Sequence, residues 1–170
     1  ILMITILLIN LRSIPAVGMV LALIICSLLA MLGFMGWAYR FTGSDKFLFA
    51  LLNTSMPIIL LTIANSDGVH VMTKFFREIR KNKNVDVAIA SSMDALLVPI
   101  FITSITTIAA FFTMSLSPLE PLVGYGVCIS VGILWAWLLS SLSLPSLIKL
   151  KNWDFTSKAL TQPSIFEKII

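Results

Sequence analysis

The sequence predicts an all-α fold: a polytopic membrane helix bundle with four complete spans and one truncated N-terminal span. Three observations lead there. Hydrophobic residues make up 58% of the chain and charged residues 12%, and the mean hydropathy is +1.01, outside the range of soluble globular domains. Four apolar stretches, near 16–39, 47–73, 96–116 and 119–148, each reach the ~20 residues a helix needs to cross roughly 30 Å of hydrocarbon. Positive charge is gathered rather than spread, with Lys74, Arg77, Arg80, Lys81 and Lys83 after one stretch and Lys149 and Lys151 after the last. Lys and Arg in short loops stay on the cytoplasmic side, so 74–84 and the C-terminal tail lie inside; alternation adds Arg12 and leaves only Arg40 and Lys46 outside.

Residues 1–11 are apolar throughout, but at ~1.5 Å per residue they cover only about half a bilayer. With no initiator methionine, basic leader or cleavage site, they read as the cut end of a longer span rather than a signal peptide. Residues 11–15 form a short cytoplasmic turn, with Pro15 setting the backbone for the next helix. Along that helix Gly18, Ala22, Cys26 and Ala30 recur every four positions, a pattern that lets a neighbouring helix approach closely. Trp37, Tyr39 and Arg40 mark the outer interface, and 41–46 is an external loop rich in turn residues. Cys26 and Cys128 both fall inside spans and read as small apolar residues.

The stretch 57–74 organises the rest, because it carries Asp67 and the only histidine, His70, inside an apolar run. Ionisable groups at that depth are costly and mark function or a polar anchor between helices. Residues three apart share a helix face, so Asp67 lies beside His70, while Ser55, Thr62, Ser66, His70 and Thr73 continue one polar stripe. Such a stripe cannot face lipid tails; it faces other helices or a water-filled path. Pro57 is expected either to kink this helix, freeing a carbonyl near Asn53, or to serve packing alone. Beyond Thr73 the chain continues as a basic amphipathic helix, with Phe75, Phe76 and Ile79 able to lie against the membrane surface. Residues 82–86 form a turn, and Asn84 or Asp86 caps a second short helix running through Met93.

In the next span Thr103, Thr106, Thr107, Ala110 and Thr113 recur at helical spacing. Hydroxyls in a span ordinarily bond a backbone carbonyl one turn back, yet as a group these resemble a lining. Residues 117–121 make a tight external turn. The last span then repeats a small-residue ladder for helix packing at Gly124, Cys128, Gly132, Ala136 and Ser140. Pro145 ends or bends that helix, and Trp153 sits where an interfacial aromatic belongs. The domain division is therefore 1–152 membrane domain and 153–170 cytoplasmic linker, in which Ser164 and Glu167 form a capping box that starts an amphipathic helix.

No glycine-rich phosphate loop, serine-nucleophile elbow or metal-ligand cluster is present in the sequence, and one histidine cannot supply a multi-histidine site. Asp67 and His70 belong to no nucleophile-base-orienter set, so the sequence supports neither an enzyme nor a metal protein. The basic cluster reads as membrane topology and not as a nucleic-acid surface.

The residues from Ala64-Asn-Ser-Asp-Gly-Val-His-Val-Met-Thr-Lys-Phe-Phe, through Ala88-Ile, to Pro99-Ile-Phe-Ile-Thr-Ser-Ile-Thr-Thr-Ile-Ala-Ala-Phe and Pro121-Leu-Val-Gly-Tyr-Gly resemble the RND superfamily. The branch they resemble is the bacterial exporters with MMPL-type membrane domains, related more distantly to Patched and sterol-sensing proteins. The likeness covers nearly the whole chain. It departs from the family pattern at Asn65-Ser66, where relatives often carry glycine before the aspartate, and at Gly68, where many carry tyrosine.

By this resemblance the chain holds spans two to six of one six-helix half in a bacterial cytoplasmic (inner) membrane. The resemblance implies export of a hydrophobic or amphipathic substrate driven by protons as the coupling ion, with no other cofactor. Asp67 would carry the proton, His70 would tune or relay it, and Ser66, Thr103, Thr106 and Thr107 would form the supporting polar lining. Expected partners are membrane lipids, the second six-helix half, the substrate and further copies in a homo-oligomer. A carboxyl in a low-dielectric site can load a proton on one side, move neutral and release it when its solvation changes. Two other functions fit the same fold: a sterol-sensing-like module that binds lipid without pumping, and an auxiliary subunit for protein translocation.

Overall fold

A computed structural model describes residues 2–11, 13–44, 47 and 54–151, and all regular structure among them is helical. Helix α1 spans Leu2–Leu11 and α2 spans Ile14–Thr42, with Pro15 in its first turn. Gly43 closes α2 at φ +60°, a left-handed conformation that glycine adopts without a Cβ penalty, and its N–H donates to the Tyr39 carbonyl at 2.9 Å. Helix α3 spans Met56–Asn82 and α4 spans Val85–Phe112. Asn84 caps α4, its Oδ1 accepting from the N–H groups of Asp86 at 3.0 Å and Val87 at 3.3 Å. A tight turn, Thr113–Leu116, ends that rod; α5 then spans Glu120–Leu138 with Pro121 in its first turn. A wider π turn, Leu139–Ser143, joins α5 to α6, Leu144–Leu150.

The prolines settle several boundaries differently from expectation. Pro57 lies in the first turn of α3, where its missing N–H would have had no partner anyway, so it kinks nothing. Asn53 lies outside the described residues. The proline inside a helix is Pro99, which cannot donate to the Ala95 carbonyl of α4. Pro145 does not end its rod: the N–H of Leu144 donates five residues back to the Leu139 carbonyl, and helical structure continues past the proline to Leu150. The expected short helix ending at Met93 is not separate but forms the start of the continuous α4.

Ile14–Thr42, Val85–Leu116 and Glu120–Leu150 are long and apolar enough to cross a membrane. Helix α3 has the length of a span at 27 residues, but Asn65, Ser66, Asp67 and His70 make it less apolar than the other three.

Helix α5 is the centre of the bundle, touching α2, α3 and α4. Gly124, Cys128, Gly132, Ala136 and Ser140 are all buried along it. A Cβ added at Gly132 would come within 3.1 Å of Leu60 on α3 and Met31 on α2. Where α5 meets α4, the Ser130 hydroxyl lies 2.8 Å from the Gly126 carbonyl of its own helix and 3.2 Å from the Ile108 carbonyl of α4. At one end of the bundle the Ser55 and Tyr125 hydroxyls bond at 2.9 Å; at the other, Lys149 pairs with Asp86 at 2.9 Å.

Two packing expectations are corrected. On α2 the buried face is Ala16, Val17, Val20, Leu23, Ile24, Ser27 and Met31, while Gly18, Ala22 and Cys26 are exposed. Spacing shows that small residues share a face, but the larger side chains on the opposite face are the ones that fill the space beside α3 and α5. Phe75, Phe76 and Ile79 are buried in the bundle and do not lie on a membrane surface. The two-residue turn at Lys83 and Asn84 folds α4 back along this extension, and Phe75 shares a small apolar gap with Ile89 of α4 and Ile148 of α6. Arg12, Lys46, Trp153 and the 153–170 linker with Ser164 and Glu167 lie outside the described residues.

Candidate functional site

The polar stripe of α3 faces α4 across an open cleft of about 530 Å³. From α3 the lining is Thr62, Ile63, Ser66, Asp67 and His70; from α4 it is Leu96, Pro99, Ile100, Thr103, Ser104 and Thr107. Helical periodicity produces both walls, since each set advances by one, three or four residues and so stays on one face. Behind Asp67 the helices are tightly packed: a Cβ on Gly68 would meet Val20 of α2 at 3.0 Å. That contact leaves α3 little room to retreat from the cleft.

Asp67 is 7% exposed, and its Oδ2 has no hydrogen-bond partner among the described residues. Buried polar atoms are nearly always paired, so an unpaired carboxyl oxygen on a cleft wall is a functional signal. His70, one turn along, is exposed to the same cleft and is the only other titratable side chain lining it among the described residues. The structure therefore brings Asp67 and His70 to one cavity.

The supporting hydroxyls divide. Ser66, Thr103 and Thr107 line the cleft, but Thr106 does not. Thr106 is exposed, with its hydroxyl 2.9 Å from both the Ile102 and Thr103 carbonyls. One residue is about 100° of helix rotation, which turns Thr106 away while Thr103 and Thr107, a full turn apart, remain on the wall. Thr103 donates to the Ile100 carbonyl at 2.9 Å and Thr107 to the Thr103 carbonyl at 2.7 Å. Their hydroxyl protons are thus committed to their own helix, and only lone pairs remain for the cleft.

Ser104 is the lining residue that sequence reasoning missed. It is 3% exposed, and its Oγ has no partner among the described residues. Its position one turn after Ile100 and three residues before Thr107 was the available signal, hidden by the more conspicuous threonines around it.

Long apolar helices around a cleft that holds a buried carboxyl define a multi-pass α-helical membrane protein with a polar site inside the bundle. The chain belongs to the MMPL family, whose family model matches residues 1–164. It is accordingly a membrane domain of the RND transporter type. No curated protein and no solved structure matches the chain.

Proposed function

We propose that this chain carries the proton-coupling site of an exporter driven by the proton gradient, with a hydrophobic or amphipathic substrate and a bacterial cytoplasmic membrane as its location. The observation that carries this reading is the Asp67 carboxyl, buried and unpartnered on the wall of an open cleft. An ionised carboxylate there loses hydration without gaining a cation, and a bound proton removes that cost. Two packings of the helices that hydrate Asp67 differently would then take up and release the proton in turn. Each charge crossing the membrane supplies about 2.3 kcal/mol per 100 mV to that cycle. His70 tunes or relays the proton, and Ser66, Thr103 and Thr107 keep the path polar. In this reading the second six-helix half closes the open side of the cleft.

The test is export of a lipophilic fluorescent dye from vesicles holding the intact transporter under an imposed pH gradient, comparing wild type with Asp67→Asn at matched protein. Loss of gradient-driven export with dye binding retained is the expected result. Unchanged export would overturn the assignment and leave Asp67 as an anchor between helices in a lipid-binding module.

A further inference from the structure

The end of α3 beyond the cleft has two unlike sides. Phe75, Phe76 and Ile79 turn into the bundle, while Lys74, Arg77 and Lys81, three and four residues apart, share one outward face. Glu78 braces that face: its buried carboxylate meets the Lys74 ammonium at 3.3 Å and the Lys81 ammonium at 3.5 Å, both at Oε1. An ammonium has three donors, so each lysine keeps donors to spare. Arg77 is exposed and has no acidic partner among the described residues. Three cations thus share the face with one carboxylate, and the next acid along the chain, Asp86, is held by Lys149. Helix α4 sets the level of this face. The hairpin turns at Lys83 and Asn84, so residues equally far from the turn stand side by side: Asp67 shares the cleft with Ile100, and Phe75 shares a gap with Ser92. By the same count Asp94 lies beside Thr73. On α4 Leu97, Val98, Phe101 and Ile102 are exposed apolar side chains, and Asp94 is the first exposed charge met on leaving them toward the turn. The hydrocarbon boundary therefore falls near Thr73. At ~1.5 Å per residue Lys74 and Arg77 lie about 2–6 Å beyond it, inside a headgroup layer of roughly 5–8 Å. Val87 and Leu150 are exposed at the same end, so apolar surface accompanies the charge, which suits a lipid interface better than a soluble acidic partner.

We propose that Lys74, Arg77 and Lys81 form a docking site for one anionic phospholipid of the leaflet at this end of the bundle. The lipid phosphate lies between the Arg77 guanidinium and the two ammonium groups. Positions three or four apart on a helix hold their Cβ atoms about 5–6 Å apart, a gap that Lys and Arg side chains span, so all three reach one phosphate. The guanidinium fork matches two phosphate oxygens, and the lysines add point charges. Glu78 keeps the lysines in place without cancelling the face, which retains an excess of positive charge. A zwitterionic headgroup brings an ammonium of its own that this excess repels, so the site selects lipids with net negative charge. His70 stands one turn nearer the cleft on the same face, which sets the acyl chains of the docked lipid alongside the cleft. The site goes beyond the proton-coupling reading and does not depend on it.

The experiment is native mass spectrometry of the intact transporter with added phosphatidylglycerol or phosphatidylcholine, together with thermal unfolding of the same samples. Wild type is expected to retain phosphatidylglycerol in preference to phosphatidylcholine and to unfold at a higher temperature with it. Arg77→Gln removes one charge from the face and is expected to weaken phosphatidylglycerol retention about fivefold. Its unfolding temperature without lipid should match wild type, since Arg77 makes no bond among the described residues that the change would break. Lys83→Gln removes the same charge from the turn, off this face, and is expected to leave retention unchanged. Equal losses in the two variants would reduce the attraction to overall charge and overturn the site, as would equal retention of the two lipids by wild type. Displacement of phosphatidylglycerol by a polyglutamate peptide would overturn the lipid as occupant and give the face to an acidic protein segment.

Discussion

Gly126 on α5 rests directly on the backbone of Phe111 at the end of α4. A Cβ at this position would overlap the Phe111 carbonyl oxygen and come within 2.9 Å of the Met114 Cβ. Backbone cannot swing aside as a side chain can, so Gly126→Ala is expected to destabilise the protein by about 1–3 kcal/mol, the usual cost of overpacking. Gly18, where an added Cβ would have nothing within 4 Å, serves as the contrast: Gly18→Ala should be neutral or slightly stabilising within the chain. Thermal unfolding in a mild detergent separates the two, and equal behaviour would show that the close approach of α5 to α4 is not present.

The hydroxyls of α4 make a matched set. Valine has the shape of threonine without the hydroxyl, so Thr103→Val and Thr107→Val remove polarity from the cleft wall and are expected to slow gradient-driven dye export several-fold. Thr106→Val, on the outer face of the same helix, is expected to leave export within about the scatter of surface substitutions. Comparable losses at all three positions would mean that the effect comes from the helix and not from the cleft.

Glu78 lies beyond the apolar part of α3, paired with Lys74 at 3.3 Å and Lys81 at 3.5 Å. Burial alone would raise its pKa, but the hydrogen bonds and charges of the two lysines outweigh it and hold the carboxyl below its ordinary 4.5. A carboxyl that ionises lower in the folded state contributes its full stability above the unfolded value, and that contribution is lost as pH falls through the folded value. Wild type should therefore lose more stability than Glu78→Gln as pH is lowered from neutral through the range below 4.5. The difference is expected to stay under about 1 kcal/mol, because both lysines reach solvent. Unfolding midpoints of the two proteins measured from neutral to acidic pH check the sign.

Lys149 and Asp86 meet at 2.9 Å, yet each is 68% exposed, so their pairing adds little stability. Its value is as a marker that the end of α6 and the start of α4 share one side of the membrane. With Cys26 and Cys128 replaced by alanine, Asp86→Cys and Lys149→Cys together should cross-link through a short bifunctional maleimide added from the cytoplasmic side. Ser117→Cys should react only from the outside. Labelling of all three from one face would overturn the alternation of α4 and α5.

The sequence by itself determined the helical class, the membrane setting and the face of α3 that carries Asp67 and His70, because hydropathy and the 3.6-residue period are properties of each segment alone. The small-residue ladder of α5 was readable for the same reason, and it lies buried. Only the tertiary structure decided which face of each helix meets a neighbour. Gly18, Ala22 and Cys26 are spaced like the α5 ladder and yet face outward, and Phe75, Phe76 and Ile79, the apolar face of an amphipathic stretch, are buried in the bundle in place of lipid, Phe75 beside Ile89 of α4 and Ile148 of α6. Thr106 and Ser104 traded places in the same way: Thr106 was expected on the lining and Ser104 was not singled out, but helix rotation put Ser104 on the cleft wall and Thr106 outside it. Periodicity fixes angles within a helix; the rotation of that helix against its neighbours comes from packing across residues far apart in the chain, which no local pattern records.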